Sequence, residues 1–170
     1  AGFVNREIRS GDVDFRNVGF TYPEAASPAL VDFNLSVKGG ERVGIIGRIG
    51  SGKTTAGRLL AGLYPPSSGN LLLDGVDIRQ YHPSVVRSAV VFTSQSADLF
   101  SGSVKEYLLM AKPGATDDEL VAAAEAAGVD AFVARHPRGY DMPVGERGSQ
   151  LSGGQRQAVA IARVLLSDPR

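Results

Sequence analysis

The chain has 170 residues, with 18 Lys and Arg against 18 Asp and Glu, so its formal net charge is zero, and it contains no cysteine. That length suits about one domain with a real hydrophobic core. Zero net charge gives no electrostatic support for a nucleic-acid or acidic-membrane partner, and the lack of cysteine excludes disulfides and thiolate metal sites. No apolar run is long enough to cross a membrane, and the N-terminus lacks a signal-peptide pattern.

The first half of the chain is predicted to be rich in β-structure. Residues 12–22 alternate between polar and apolar side chains, with a bulge near Asn17, and residues 30–37 alternate again. The short β-branched run 42–46 predicts a buried parallel strand, and residues 89–93 predict another. Residues 71–73 and 76–78 flank an Asp-Gly pair, which is typical of a hairpin. A helix is predicted over 54–63, after a glycine-rich stretch.

The second half is predicted to be mostly helical. Helices are expected over 103–110, from a capping box at 116–119 to Gly128, and over 130–135. Residues 137–150 form a glycine-rich, charged loop. A last helix begins at Ser152 and ends near 167, before Asp168 and Pro169. The sequence shows no internal repeat.

The stretch Gly-Arg-Ile-Gly-Ser-Gly-Lys-Thr at 47–54 has the spacing of a phosphate-binding loop between a strand and a helix. Its glycines allow successive N–H groups to face an anion, and the start of the helix adds a positive dipole end. Lys53 can bridge β- and γ-phosphates, and the Thr54 hydroxyl can ligate Mg²⁺. The alternative is a glycine-rich turn with a solvated lysine, which the strand-and-helix context disfavours.

A second motif, Leu-Ser-Gly-Gly-Gln at 151–155, opens the last predicted helix. Ser152, Gly153 and Gly154 again offer N–H groups at a positive helix end, but no lysine follows, so the motif has the character of half a site. The alternative is an N-cap serine before an ordinary amphipathic helix.

Together the two motifs resemble the nucleotide-binding domain of ATP-binding cassette (ABC) transporters, and the resemblance covers essentially the whole chain. It implies an α/β phosphate-loop NTPase fold of the ABC ATPase type. That fold has a β-rich N-terminal subdomain, a central parallel sheet that is incomplete here, and an inserted α-helical subdomain. The implied division is 1–94 for the β-subdomain and phosphate loop, 95–150 for the helical subdomain, and 151–170 for the signature helix.

The resemblance also implies roles for individual residues, with ATP and Mg²⁺ as cofactors. Tyr22 would stack on adenine, and the less favoured alternative is a core tyrosine at the strand end. Gln95 would contact Mg²⁺ and the attacking water, and it follows Ser94 where the family often has proline. Catalytic roles fall to Lys53 and Gln95, and metal contacts to Thr54 and Gln95. The nucleotide-binding set is Tyr22, Gly47, Arg48, Ile49, Gly50, Ser51, Gly52, Lys53, Thr54, Thr55, Ser152, Gly153, Gly154 and Gln155. His82 and His136 match no catalytic position.

The implied partners are a second nucleotide-binding domain, paired head to tail, and a transmembrane domain of the same polypeptide, with no nucleic acid. The expected place is the cytoplasmic face of a bacterial inner membrane. The loop 144–148 matches the segment with which exporters contact the membrane domain, against the alternative of a charged surface loop. Four stretches, 47–55, 61–69, 135–141 and 151–158, look most like type I protein-secretion ATPases, with a lipid or drug exporter as the alternative.

In the family, a strand with a metal-supporting aspartate and a catalytic glutamate follows the signature helix, and a switch histidine comes later. The sequence ends at Arg170 and starts without methionine. We therefore expect a piece of a longer reading frame that binds ATP without useful hydrolysis. The other classes considered are a soluble ABC ATPase of DNA repair or translation and a non-catalytic nucleotide-binding module. A phosphate-loop kinase is the weakest alternative, because it leaves residues 151–155 unexplained.

Overall fold

A computed structural model describes residues 2–94 and 99–169. The chain forms two compact units, one within residues 1–92 and the other within 93–169. Each unit has its own hydrophobic core. No helix in the described part of the chain is both long and apolar enough to cross a membrane.

The first unit is built on an antiparallel sheet of order β2-β1-β3-β4. Its strands are β1 (Val13–Phe20), β2 (Leu30–Val37), β3 (Ser68–Leu73) and β4 (Val76–Asp77). The pairing of β1 shifts register on both sides of Val18, and Asn17 has a φ of 48°, which confirms the predicted bulge. Asp74 and Gly75 take left-handed conformations (φ 49° and 76°) between β3 and β4, which confirms the predicted hairpin.

Two helices accompany this sheet. Helix α1 (Lys53–Leu60) is the helix expected over 54–63, and Gly62 with a φ of 68° follows its end. Helix α2 (Pro83–Ala89) was not predicted. Its signals are a proline in the first turn and the His82 side chain, which caps the helix by accepting the N–H of Ser84. A 3-10 turn, Ile78–Gln80, precedes it.

The two predicted parallel strands are absent from the described residues, and these predictions were wrong. Residues 42–46 form no strand, and Val43 and Ile45 are 49% and 46% exposed. Ala89 ends α2, and 90–93 are irregular. A parallel strand needs hydrogen-bonded neighbours and cover on both faces. The described residues supply neither to 42–46, so a β-branched sequence alone does not form the strand.

The second unit is helical, with α3 (Val104–Leu109), α4 (Asp117–Ala126), α5 (Asp130–Val133) and α6 (Gly153–Ser167). Two 3-10 turns, Gly139–Asp141 and Glu146–Gly148, interrupt the predicted loop. The predicted capping box of α4 is confirmed: Thr116 accepts the N–H of Glu119, and Glu119 accepts that of Thr116. The core is formed by side chains from all parts of the unit, among them Leu108, Leu120, Val144, Val159 and Leu166.

Asp74 anchors the N-terminal segment to the β3–β4 turn. Its carboxylate accepts the N–H groups of Arg9 (2.6 Å), Ser10 (3.0 Å) and Asp12 (3.0 Å), together with the Ser10 hydroxyl. Partial burial raises the pKa of Asp74, but these hydrogen bonds outweigh it and lower the pKa to about 2. Because the folded-state pKa is depressed, its stabilisation is present above the unfolded value of 3.8 and is lost as the pH falls through about 2.

Asp74→Asn is therefore expected to destabilise the chain at pH 7 by about 1–3 kcal/mol, since hydrogen bonds to a charged acceptor are lost. The difference from wild type should shrink between pH 4 and pH 2, as measured by urea unfolding across that range. Asp32→Asn is the matched control, because Asp32 also has a left-handed backbone (φ 47°) and is exposed. A loss as large in the control, or one independent of pH, would contradict the assignment.

Candidate functional site

The glycine loop before α1 has left-handed backbone conformations that glycine adopts without strain. Gly50 and Gly52 have φ values of 82° and 87°, and Gly52 is the N-cap of α1 without any side-chain cap. The N–H of Ser51 donates to the Arg48 carbonyl (3.2 Å), which closes a turn. A Cβ added to Gly47 would lie 2.6 Å from Ser51 Oγ, so the loop curls closely on itself. Ile49 is fully exposed at its tip.

Lys53 folds back over this loop. Its Nζ donates to the carbonyl oxygens of Gly47 (2.7 Å) and Arg48 (2.8 Å) and to Ser51 Oγ (3.1 Å). All three acceptors are neutral, and the ion pairs found in the described residues do not include Lys53. The loop therefore holds a positive charge that no carboxylate of residues 2–94 or 99–169 neutralises.

The loop also offers hydrogen-bond donors. In the described part of the chain, no acceptor receives the N–H groups of Gly50, Gly52, Lys53 or Thr54. The first N–H groups of a helix lack partners within it and favour an anion. Thr54 is exposed beside them, so its hydroxyl is available to a metal ion on a phosphate. Unpaired N–H groups, one uncompensated ammonium and one hydroxyl fit a magnesium-bound phosphate chain.

Thr55 differs from Thr54. It is 6% exposed, and its Oγ1 lies 3.2 Å from the Tyr22 hydroxyl. The side chain of Thr55 thus contacts Tyr22. If Thr55 binds an anion, the backbone N–H of Thr55 is the group that would do so.

Tyr22 lies just beyond the end of β1, in a cluster of aromatic rings. Its ring meets those of Phe20 and Tyr64 edge to face, at centre distances of 4.8 Å and 5.3 Å. Its hydroxyl also accepts a hydrogen bond from Arg58 Nη1 (3.2 Å). Burial raises the pKa of Tyr22, but the hydrogen bonds with Thr55 and Arg58 outweigh it, so the pKa lies below the usual 10.0. Sequence reasoning missed Arg58, which lies outside the phosphate-loop pattern.

The second motif forms the start of α6. Ser152 Oγ accepts the N–H of Gln155 (3.2 Å), and Gln155 Oε1 accepts the N–H of Ser152 (2.8 Å). A Cβ on Gly154 would meet nothing within 4 Å, and one on Gly153 only Arg156 Nη2 at 3.8 Å. The predicted N-cap at Ser152 is therefore confirmed. The space around Gly153 and Gly154 at the start of the helix is largely unoccupied. The side chains of Ser152 and Gln155 are engaged in the cap.

The remaining candidates have simpler places. Gln95 lies outside the described residues, so its assignment stays a prediction. Among the residues described, no group of three or more His, Cys, Asp and Glu side chains could hold a metal ion. His82 caps α2, and His136 Nδ1 accepts the N–H of Arg138 (3.2 Å), so both histidines have local structural contacts.

Comparison with known proteins identifies the family. Residues 30–170 match the family model described as "ABC transporter". A Staphylococcus aureus (strain NCTC 8325) protein named "Putative multidrug export ATP-binding/permease protein" is 42% identical over 163 residues, covering 96% of this chain and 28% of the relative. The ABC transporter B family member 3 of Dictyostelium discoideum is 41% identical over 167 residues, covering 98% of this chain and 12% of that protein.

A solved structure agrees with these sequence matches. A bacterial Atm1-family ABC exporter with ATP bound superposes with a TM-score of 0.92 at 38% identity, over 99% of this chain and 30% of that one. The chain thus spans less than a third of the length of these relatives. The predicted fold class, a phosphate-loop fold of the ABC ATPase type, is confirmed, and the chain belongs to the ABC transporter family.

Proposed function

We propose that this chain is the ATP-binding part of the nucleotide-binding domain of an ABC exporter. The observation that carries the proposal is the phosphate loop, where the Lys53 ammonium has no carboxylate partner, and adjacent N–H groups have no acceptor, among the residues that the structure describes. A triphosphate provides the negative oxygens that would replace the carbonyls now bound to Lys53.

Each predicted residue has a role in this proposal. Lys53 and the backbone of 47–55 bind the phosphates of ATP, and Thr54 holds Mg²⁺, with Gln95 as a second metal contact. Tyr22 contacts adenine. The open end of α6, residues 152–155, faces the ATP of a second copy in a head-to-tail pair, because the start of this helix offers N–H donors to an anion.

The same proposal places the chain in a larger assembly. Residues 144–148 and Gln95 contact a transmembrane domain of the same polypeptide, at the cytoplasmic face of a bacterial inner membrane, and no nucleic acid takes part. The full protein couples ATP hydrolysis to export. The division into 1–94, 95–150 and 151–170 is proposed as the functional division, since the phosphate loop and the signature fall in different segments.

The proposal extends to the class of cargo. The stretches 47–55, 61–69, 135–141 and 151–158 favour type I protein secretion, whereas the named relatives are a multidrug export protein and an Atm1-family exporter. We therefore favour small-molecule export and keep protein secretion as the second candidate. Transport by the full-length protein of a fluorescent drug or of a secreted polypeptide distinguishes the two.

ATP binding tests the proposal directly. Wild-type chain is expected to bind MgATP in isothermal titration calorimetry, and Lys53→Ala is expected to lower the affinity by about 10- to 100-fold, as for loss of charge-assisted hydrogen bonds. Arg87→Ala removes one exposed positive charge from α2 and should leave the affinity unchanged. Wild-type phosphate release should be no faster than that of Lys53→Ala, because hydrolysis also needs the family's catalytic glutamate, which is expected after the signature helix. Equal affinities of wild type and Lys53→Ala would refute the proposed site.

A further inference from the structure

The Tyr22 hydroxyl joins the end of β1 to helix α1. It lies 3.2 Å from Thr55 Oγ1, and it accepts a hydrogen bond of 3.2 Å from Arg58 Nη1. Both partners belong to the helix that begins with Lys53. Arg58 is partly buried, and Tyr22 is the polar partner that the structure describes for its guanidinium.

We propose that Arg58, together with Thr55, is a positioning residue that orients the Tyr22 ring for the base of the bound nucleotide. This inference rests on the proposed function, in which Tyr22 contacts adenine. It adds a residue outside the phosphate-loop motif and links base recognition to the phosphate-binding helix.

The need for such an anchor follows from the surroundings of Tyr22. The residue lies beyond the last residue of β1, Phe20, so the sheet does not fix its backbone. Its edge-to-face contacts with Phe20 and Tyr64 limit where the ring lies. Such aromatic contacts are broad in geometry, whereas two hydrogen bonds at the hydroxyl direct the long axis of the ring.

The helix makes this anchor rigid with respect to the phosphate loop. Arg58 is five residues after Lys53 in one α-helix, which corresponds to about 7.5 Å along the helix axis. The residue that orients the base contact and the residue that binds the phosphates therefore lie on one rigid helix, α1. The Arg58 guanidinium carbon is 6.0 Å from the centre of the Tyr22 ring, at the outer limit of a cation–π contact, so the hydrogen bond carries the argument.

The test compares two ligands that share phosphates and differ in the base. Titration of the full chain with MgATP and with magnesium tripolyphosphate separates base recognition from phosphate binding. Arg58→Gln and Tyr22→Phe are each expected to lower affinity for MgATP by about fivefold, the value of one hydrogen bond, and to leave that for tripolyphosphate unchanged. The double variant should lose no more than either single variant, and Arg58→Lys should recover most of the affinity because it keeps a donor.

Three outcomes would overturn the inference alone. Equal weakening for both ligands would mean that Arg58 supports the loop as a whole. Unchanged MgATP affinity in both single variants would mean that the hydroxyl contacts do not orient the ring. Equal wild-type affinity for the two ligands would show that Tyr22 makes no favourable contact with the base, although the phosphate site would still be supported. Failure of wild type to bind either ligand would instead refute the proposed function, and the inference with it.

Discussion

Gly52→Ala is expected to lower the free energy of unfolding by about 3 kcal/mol and to weaken MgATP binding as well. Gly52 has a φ of 87° at the N-cap of α1, where an L-residue is strained by about 1–2 kcal/mol. An alanine Cβ would also lie 2.6 Å from Leu30 Cδ2 and 2.7 Å from the Ala29 carbonyl oxygen. Since that oxygen is backbone, α1 or the start of β2 must move, which adds about 1–3 kcal/mol.

Gly50→Ala is the matched control for this change. Gly50 has nearly the same φ, 82°, but nothing lies within 4 Å of an added Cβ. It should therefore cost only the backbone strain, about 1–2 kcal/mol. Urea unfolding followed by circular dichroism gives both values. Equal losses for the two variants would show that the close approach of Gly52 to residues 29–30 does not contribute.

Elements whose formation depends on residues close together in the sequence were predictable. The strand over 30–37 was predicted with the bounds now seen for β2, because its alternation and flanking turns are local signals. The Asp-Gly turn and the Thr116 capping box likewise need only residues within one turn of the chain. These local signals do not require contacts with residues distant in the sequence.

The failures concern contacts between distant residues. Residues 42–46 have a strand sequence, yet the strand requires partners that the described residues do not provide. Helix α2 is short, and its apolar residues give no clear period, so Pro83 and His82 were its main signals. The sequence indicates the strand propensity of a segment. Whether the segment forms a strand depends on the sheet with which it can pair.

The candidate site shows the same division. The glycine spacing of 47–54 predicts the loop, and the position of Ser152 before the last predicted helix indicates an N-cap, because both are local patterns. The contacts of Lys53 with two carbonyls and the capping role of Gln155 depend on side-chain positions. The bond between Arg58 and Tyr22 joins residues 36 positions apart, so no local pattern could reveal it.

Helix α6 carries the second motif at its start, and its buried face fixes it in the second unit. Val159, Ala162 and Leu166 are each at most 4% exposed and lie three or four residues apart, so they form one face. That face packs in the core near α3 and α4. The placement of residues 152–155 therefore depends on apolar packing well beyond the motif.

Leu166→Ala is expected to destabilise the chain by about 2–5 kcal/mol, because it leaves a cavity in this core. Leu165→Ala is the matched control: the same substitution one residue earlier, at a side chain that is 45% exposed, should cost about 0.5–1 kcal/mol. Urea unfolding gives the two losses, and amide hydrogen exchange should show faster opening of α4 and α6 in Leu166→Ala alone. Comparable losses at both positions would mean that the outer face of α6 is also buried in solution, against another copy of the chain, and a concentration dependence of the Leu165 loss would identify that contact.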